Sequence, residues 1–481
     1  MTDHHRMRRH SLLLRKPYGL RYAVIAGIAA AGCCGLQLPA VATASAAAAR
    51  TAQTGPVSAT PPTGLPKLAA TGTTETVRQL VQCGGTMYAV GSFTSIQRFT
   101  TPYPRNNIFS FSATAPYNVT SWNPGANAET DSIALSSNCA TAYVGGRFTS
   151  VNHTAADHLA SINASTGAVK SGWGRANNAV DSVLLTPKGH LLVGGFFTSI
   201  NGSGAHPFYA SLNPSTGKDD GYLNLKLSGS YHYCKGSTCS SPNHTSVYNQ
   251  QLSHSGKLVL VEGIFTSAGG KARQQIFMLN LGTNVGSVTP WTSPEFDGSK
   301  GNLPNGFPYQ CSFNEPFYIR AAAWSSNDAT VYTVATGKSP WNVTAFGKRS
   351  GLCDATTAFP AKDASVTHTW IDYTGCDSLY SVAADSGAVY VAGHPRWAQN
   401  SKGCNVAGTG AVTDHGLQGL LPTNGNVRVK SNGKATYSMS RANADDMLRT
   451  SAGLWIASTN RFGMDVCGHK SGHAGICFLP N

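Results

Sequence analysis

The stretch TAYVGGRFTSVN at 141–152, with its near copy HLLVGGFFTSIN at 190–201, decides how the rest of the chain is read. Each begins as an alternating apolar strand, ends that strand in Gly-Gly and passes into a Phe-Thr-Ser loop, which is a strand-and-turn signature. The same strand end recurs at Gly91, Gly146, Gly195, Gly263, Thr336, Gly393 and Ser458, at intervals of 49 to 73 residues. One such unit cannot bury its apolar face alone, so the copies must stack on one another. Intervals of this length hold four strands and variable loops. The pattern predicts an all-β fold, a seven-bladed β-propeller of four-stranded antiparallel blades.

A third strand is legible at 108–111, 159–162, 209–212, 276–279 and 475–479, followed in two repeats by an identical Ser-Thr-Gly turn at 165–167 and 215–217. The fourth strand ends in Trp122, Trp173, Trp291 and Trp370. Regular recurrence of a tryptophan marks packing between blades rather than a sugar platform. The last repeat stops after its third strand, so the segment at about 65–74 is expected to supply the missing strand and close the ring without a free edge.

The run Gly-Gly-x-Phe-Thr-Ser-Val-Asn, then Leu-Ala-Ser-Ile-Asn-x-Ser-Thr-Gly, at 145–152 and 159–167, resembles the delta-sixty-type bacterial β-propeller repeat. It is more loosely similar to Kelch-type propellers through the double glycine. The match is specific over repeats one to four. In repeats five to seven, Lys338-Ser339-Pro340-Trp341, His394-Pro395-Arg396-Trp397 and Asn460-Arg461-Phe462 replace the Phe-Thr-Ser loop. The resemblance implies a propeller and transfers no catalytic residue.

Composition agrees with this class: of 481 residues only 12% are charged and 52 are glycine, a turn-rich profile rather than a helical one. A basic stretch through Arg21 precedes an apolar run at 22–41 and Ala-rich cleavage sites, so residues 1–49 read as a secretory signal and 50–66 as a flexible Pro/Thr-rich linker before the propeller at 67–481. Residues 1–49 hold six Lys/Arg and one Asp, which lowers the formal charge of the remainder from +14 to +9. No Lys/Arg cluster marks a nucleic-acid face, and no later segment is long and apolar enough to span a bilayer. The chain is expected to be an extracellular monomer without stable membrane insertion.

In an exported chain the ten remaining cysteines read as disulfides. The repeat map pairs Cys83 with Cys139, Cys311 with Cys353, Cys376 with Cys404, Cys234 with Cys239, and Cys467 with Cys477.

Propeller geometry places the start of each inner strand at one mouth of the central channel, where acids recur: Glu75, Asp131, Asp181, Asp377 and Asp445, with Asp446 beside the last. They can accept backbone and Thr hydrogen bonds, gather a cation with calcium as the cofactor candidate (Asp131, Asp181, Asp377, Asp445), or serve as an acid/base pair. Asp446 breaks the repeat rule and is the stronger functional candidate. Trp341 and Trp397, with Lys338, His394, Arg396 and Arg461, stand in the loops that have lost the repeat motif, where aromatic faces and polar donors suit sugars. There is no HExxH and no GxSxG elbow, and His469 and His473 lie in a glycine-rich loop. The stretch AADSGAVY at 383–390 reads as an inner hairpin turn. The leading expectation is a non-catalytic binder of carbohydrate or cell-envelope polymer. Alternatives are a glycoside hydrolase or polysaccharide lyase using Asp377, Asp445 and Asp446, and a protein-interaction scaffold.

Overall fold

The computed structural model describes residues 55–230, 234–235, 238–239, 244–296, 311, 317–337, 351–362, 364–375, 377–400, 402, 406–439, 444–460, 467 and 474–481. Among them there is no α-helix, and no helix long and apolar enough to cross a membrane. Trp341, Lys338, Arg461, Cys376, Cys404, His469 and His473 lie outside the described residues.

Among the described residues seven antiparallel sheets share one pattern. The first is Thr76–Cys83, Thr86–Ser92, Ile108–Ser112; the second Thr130–Leu135, Thr141–Gly146, Leu159–Asn163; the third Val180–Leu185, Leu191–Gly195, Tyr209–Leu212. The fourth is Ser246–Leu252, Leu258–Ile264, Ile276–Leu281, Gly286–Val288; the fifth Tyr318–Trp324, Thr330–Thr336, Ala355–Pro360, Trp370–Tyr373. The sixth is Leu379–Ala384, Val389–Gly393, Leu417–Leu420 and the seventh Ala444–Arg449, Gly453–Ser458, Ile476–Pro480. The inner strand of each sheet packs against the inner strand of the next, and that of the seventh against that of the first. Sheets stacked face to face around a common axis make a β-propeller.

Every inner hairpin carries a bulge at the same place. The register skips Arg78, Asp131, Asp181, Tyr248, Arg320, Tyr380 and Asp445, each one residue past the partner of Gly91, Gly146, Gly195, Gly263, Ala335, Gly393 or Ser458, respectively. This explains the recurring glycine. A Cβ on Gly91, Gly146, Gly195, Gly263 or Gly393 would overlap the carbonyl oxygen of Thr76, Glu129, Ala179, Ser246 or Ser378, respectively. In the fifth sheet the residue in that place is Ala335, opposite Ile319, rather than the expected Thr336. The preceding glycines serve the neighbouring sheet, since a Cβ on Gly145 or Gly194 would strike Val180 or Val247. Phe93, Phe148, Phe197 and Phe265, the loop phenylalanines, are all buried.

Among the described residues a regular fourth strand is present in the fourth and fifth sheets only. Elsewhere it shrinks to single bridges, Phe111 with Val119, Ile162 with Val169, Leu212 with Asp219 and Leu420 with Val427. With or without a regular fourth strand, the tryptophan of this region reaches across to the next sheet. The indole N–H of Trp122, Trp173, Trp291 and Trp370 donates to the carbonyl of Asn163, Pro214, Pro360 and Pro422 at 2.8–3.0 Å. Trp370 opens its strand rather than ending it.

The N-terminal segment also departs from expectation. Residues 55–66 are packed rather than free, with Val57 and Leu65 buried. Tyr390 Oη accepts from Val57 N–H at 2.9 Å and Tyr437 Oη donates to Val57 O at 2.7 Å. Ser58 N–H donates to Pro480 O at 2.6 Å and Leu68 N–H to Ala474 O at 2.8 Å. The strand Lys67–Leu68 itself pairs with Ser95–Arg98, so it does not complete the last sheet as a ladder. Pro56, Pro61, Pro62 and Pro66 remove the donors a continuous ladder needs, and the segment docks as a strap instead.

Three expected disulfides are formed: Cys83 with Cys139 between the first two sheets, Cys311 with Cys353, and Cys467 with Cys477. The backbones of Cys234 and Cys239 lie directly opposite in a two-residue hairpin. The turn at 383–390 is a buried hub, where Asp385 accepts from Gly387 and Ala388 N–H and from Tyr390 Oη, and pairs with Arg449 at 2.8 Å.

Candidate ligand-binding rim

The bulges turn seven side chains toward the strand starts: Arg78, Asp131, Asp181, Tyr248, Arg320, Tyr380 and Asp445. They form two arcs. In the first, Arg78 lies 2.7 Å from both Asp445 and Glu129, and Arg147 stands 3.6 Å from Glu129, 3.6 Å from Asp131 and 3.2 Å from Asp181. In the second, the Arg320 guanidinium sits 5.9 Å from the Tyr248 ring and 5.7 Å from the Tyr380 ring, at cation–π range. Tyr380 meets exposed His394 edge-on at 5.2 Å. The neighbouring loop continues this arc, with Arg396 bidentate on Asp377 at 2.7 and 3.0 Å and lying over Trp397 at 4.9 Å.

The expected ring of five carboxylates therefore divides. Asp131, Asp181 and Asp445 occupy the bulge position, whereas Glu75 and Asp377 lie three residues before the bulge residues Arg78 and Tyr380. Glu75 is buried and accepts from Thr94 N–H and its hydroxyl at 2.9 and 2.8 Å, which fixes the first Phe-Thr-Ser loop. Asn127 and Asn177 do the same for the second and third loops, accepting from Thr149 and Thr198 N–H at 2.9 Å. Asp446 is the residue after the bulge, the register of Gln79 and Ser132. Those side chains tie inner strands together, Gln79 to Ile133 N–H and Ser132 to Val183 N–H, and Asp446 accepts from Leu80 N–H at 3.2 Å. Its departure from the repeat is structural.

Burial disfavours the ionised carboxylates here. Burial and the charge of Asp181, only partly offset by Arg147, push Asp131 up to about 8. Burial carries Asp181 up to about 6 against the pull of Arg147, and raises Asp445 despite Arg78. Asp377 is likewise raised by burial although Arg396 holds it. Each of the three acids expected to serve a glycosidase is engaged, Asp377 by Arg396, Asp445 by Arg78 and Asp446 by a backbone N–H. Among the described residues no three His, Cys, Asp or Glu side chains gather as a metal site.

Sequence reasoning grouped Trp397 with His394 and Arg396 and set Asp377 apart among the strand-start acids; in the structure Arg396 contacts both Asp377 and Trp397. It missed Arg78, Tyr248, Arg320, Tyr380, Glu129 and Arg147. The signal was present: aligning the residue after Val77, Thr130, Val180, Val247, Ile319, Leu379 and Ala444 by strand position, not by acidity, yields all seven bulge residues.

No family model matches the chain, and no curated protein matches it. Its fold is similar to the solved structure of U3-55K, with a TM-score of 0.43, 8% identity, and 85% of this chain and 96% of that chain covered. It is also similar to the WD40 repeats of RRP9 (TM-score 0.44, 8% identity, 86% and 99% covered) and to the WD40 β-propeller domain of Doa1 (TM-score 0.44, 12% identity, 86% and 97% covered). At such identities and TM-scores, nothing about ligand or partner passes from them to this chain.

Proposed function

We propose that the chain is a secreted seven-bladed propeller, clasped shut by its N-terminal strap, that binds a carbohydrate or cell-envelope polymer at its rim without transforming it. The aromatic arc carries this reading: Tyr248 and Tyr380 flanking Arg320, with His394 against Tyr380, beside Trp397 and Arg396. Aromatic faces stack on the apolar side of a sugar ring, while guanidinium donors and the carboxylates of the opposite arc meet its hydroxyls. The engaged state of Asp377, Asp445 and Asp446 favours binding over hydrolysis by these acids, since a glycosidase needs a carboxylate pair at about 5–9.5 Å with one member able to attack or activate water. Secretion rests on the leader-like N-terminus and is supported by the three cystines.

The test is a glycan array and a cell-wall pull-down with the wild type, Tyr380→Ala and Trp397→Ala. Wild-type binding reduced at least about tenfold in either variant, with no new reducing ends, is the expected outcome. No binding by the wild type would sink the proposal, and release of sugar fragments would replace it with the enzyme reading.

A further inference from the structure

Against the Trp397 hairpin, two acids stand in an environment that the fold alone does not justify. Asp372 lies on the fourth strand of the fifth sheet, directly opposite Thr356 on the third. Asp414 follows the short pair Trp397–Ala398 with Val412–Thr413, and Gln418 is the second residue of the strand Leu417–Leu420. Trp397–Ala398 packs against Trp370–Tyr373, and Gln399 N–H donates to Asp372 Oδ1 at 2.6 Å. The Gln418 amide nitrogen donates to Trp397 O at 3.0 Å and to Asp414 O at 3.1 Å.

These four side chains are at most 1% exposed. Five of their oxygens lack any hydrogen-bond partner: Asp372 Oδ2, both Asp414 oxygens, Gln418 Oε1 and Thr356 Oγ1. A buried unpartnered carboxylate costs several kcal/mol, and two near each other cost more. Burial pushes both acids up to about 8, Asp372 against the Gln399 N–H bond and Asp414 also through the charge of Asp372, and among the described residues no cationic side chain counters it. Protonation removes the charge, yet the Thr356 hydroxyl, itself a donor, still meets no acceptor among these oxygens. A dication answers both the charge and the open oxygens.

We infer that Asp372, Asp414, Gln418 and Thr356 form a buried site for one hard divalent cation, calcium, between the fifth and sixth sheets. The donor set is oxygen only, which suits calcium, with its roughly six to eight oxygen ligands, and not zinc or copper. Two carboxylates balance its charge, and the amide and hydroxyl add neutral donors. The ion would fix the Trp397 hairpin, and with it Arg396, onto the fifth sheet. The site stands apart from the rim acids, so it does not depend on what the rim binds.

The experiment uses the full chain stripped with EDTA at pH 7.5, then titrated with calcium chloride, reading metal content by mass spectrometry and Tm by calorimetry. The expected result is about one calcium per chain and a Tm rise of several degrees. In Asp414→Asn the bound ion and the rise are lost, while the stripped variant melts no lower than the stripped wild type because a buried charge is gone. If that variant does not fold, Thr356→Val, nearly isosteric, should need about tenfold more calcium for the same rise. A stripped wild type that neither takes up calcium nor responds in Tm overturns the inference, as does a variant that retains full stoichiometry and response.

Discussion

At the scale of single residues the recurring tryptophan is the clearest case of a repeat serving structure. Trp173 is buried against Tyr143 at 5.5 Å, and its indole N–H reaches Pro214 O at 3.0 Å in the next sheet. Trp173→Phe keeps most of the apolar area and removes that bond, leaving a carbonyl without its donor. Such a loss costs about 1–3 kcal/mol, which urea denaturation would read as a lower midpoint at unchanged slope. A shift below about 0.5 kcal/mol would mean that the indole bond contributes nothing net. This role was legible because recurrence at one strand position is what packing demands. The carboxylates were less legible: Glu75 and Asp131 are both acids near a strand start, yet three residues of register give one a loop to cap and the other a place on the rim.

At the scale of elements the bulge and the strap matter most. The bulge turns one residue per inner strand out of the ladder, so a position that must otherwise pack is released to carry charge. That freedom accounts for arginine, aspartate and tyrosine in the middle of otherwise apolar strands. The strap reads as a linker from composition, being rich in Pro and Thr, but Val57 inserts between Tyr390 and Tyr437 and is 3% exposed. Val57→Ser is expected to destabilise the protein by about 2 kcal/mol through lost packing and a poorly placed hydroxyl. At a linker residue the same change would stay within about 0.5 kcal/mol, so a calorimetric Tm equal to that of the wild type would restore the linker reading. Composition could not show this, because what holds Val57 are two tyrosine hydroxyls more than 300 residues downstream.

At the scale of the whole molecule, buried acids set the response to pH. Asp131, Glu262, Asp372 and Asp414 are each pushed up to about 8, all chiefly by burial, and Asp181 and Asp446 to about 6. Between the ordinary carboxylate value near 4 and about 8, the unfolded chain has released these protons and the folded chain retains them, so stability falls as pH rises through that window. Asp220 and Asp328 work in the opposite sense, since hydrogen bonds from the His190 and Ser211 side chains and from Ser255 and His254 N–H, respectively, lower them despite burial; their contribution is lost only below about pH 4. In calcium-free buffer Tm should therefore decline from pH 5 to 8. A flat or rising profile measured by calorimetry would show that these acids are ionised in the native protein.

The sequence by itself determined the all-β class, the number and order of the repeated hairpins, the third strands and the identity of three disulfides. The strands are written in local periodicity, Cys83 and Cys139 sit at equivalent points of adjacent repeats, and the other two cystines each close a loop within one repeat. The tertiary structure alone decided which acids meet arginines, which polar residues cross-link inner strands, and that the N-terminus is a strap. It also decided that Asp372 and Asp414, separated by 42 residues and belonging to different repeats, are both buried with oxygens that lack a hydrogen-bond partner. A bulge shifts side-chain direction by one residue without changing composition, and charges in different repeats meet only after the sheets have stacked. Neither leaves a mark in the spacing of a single chain.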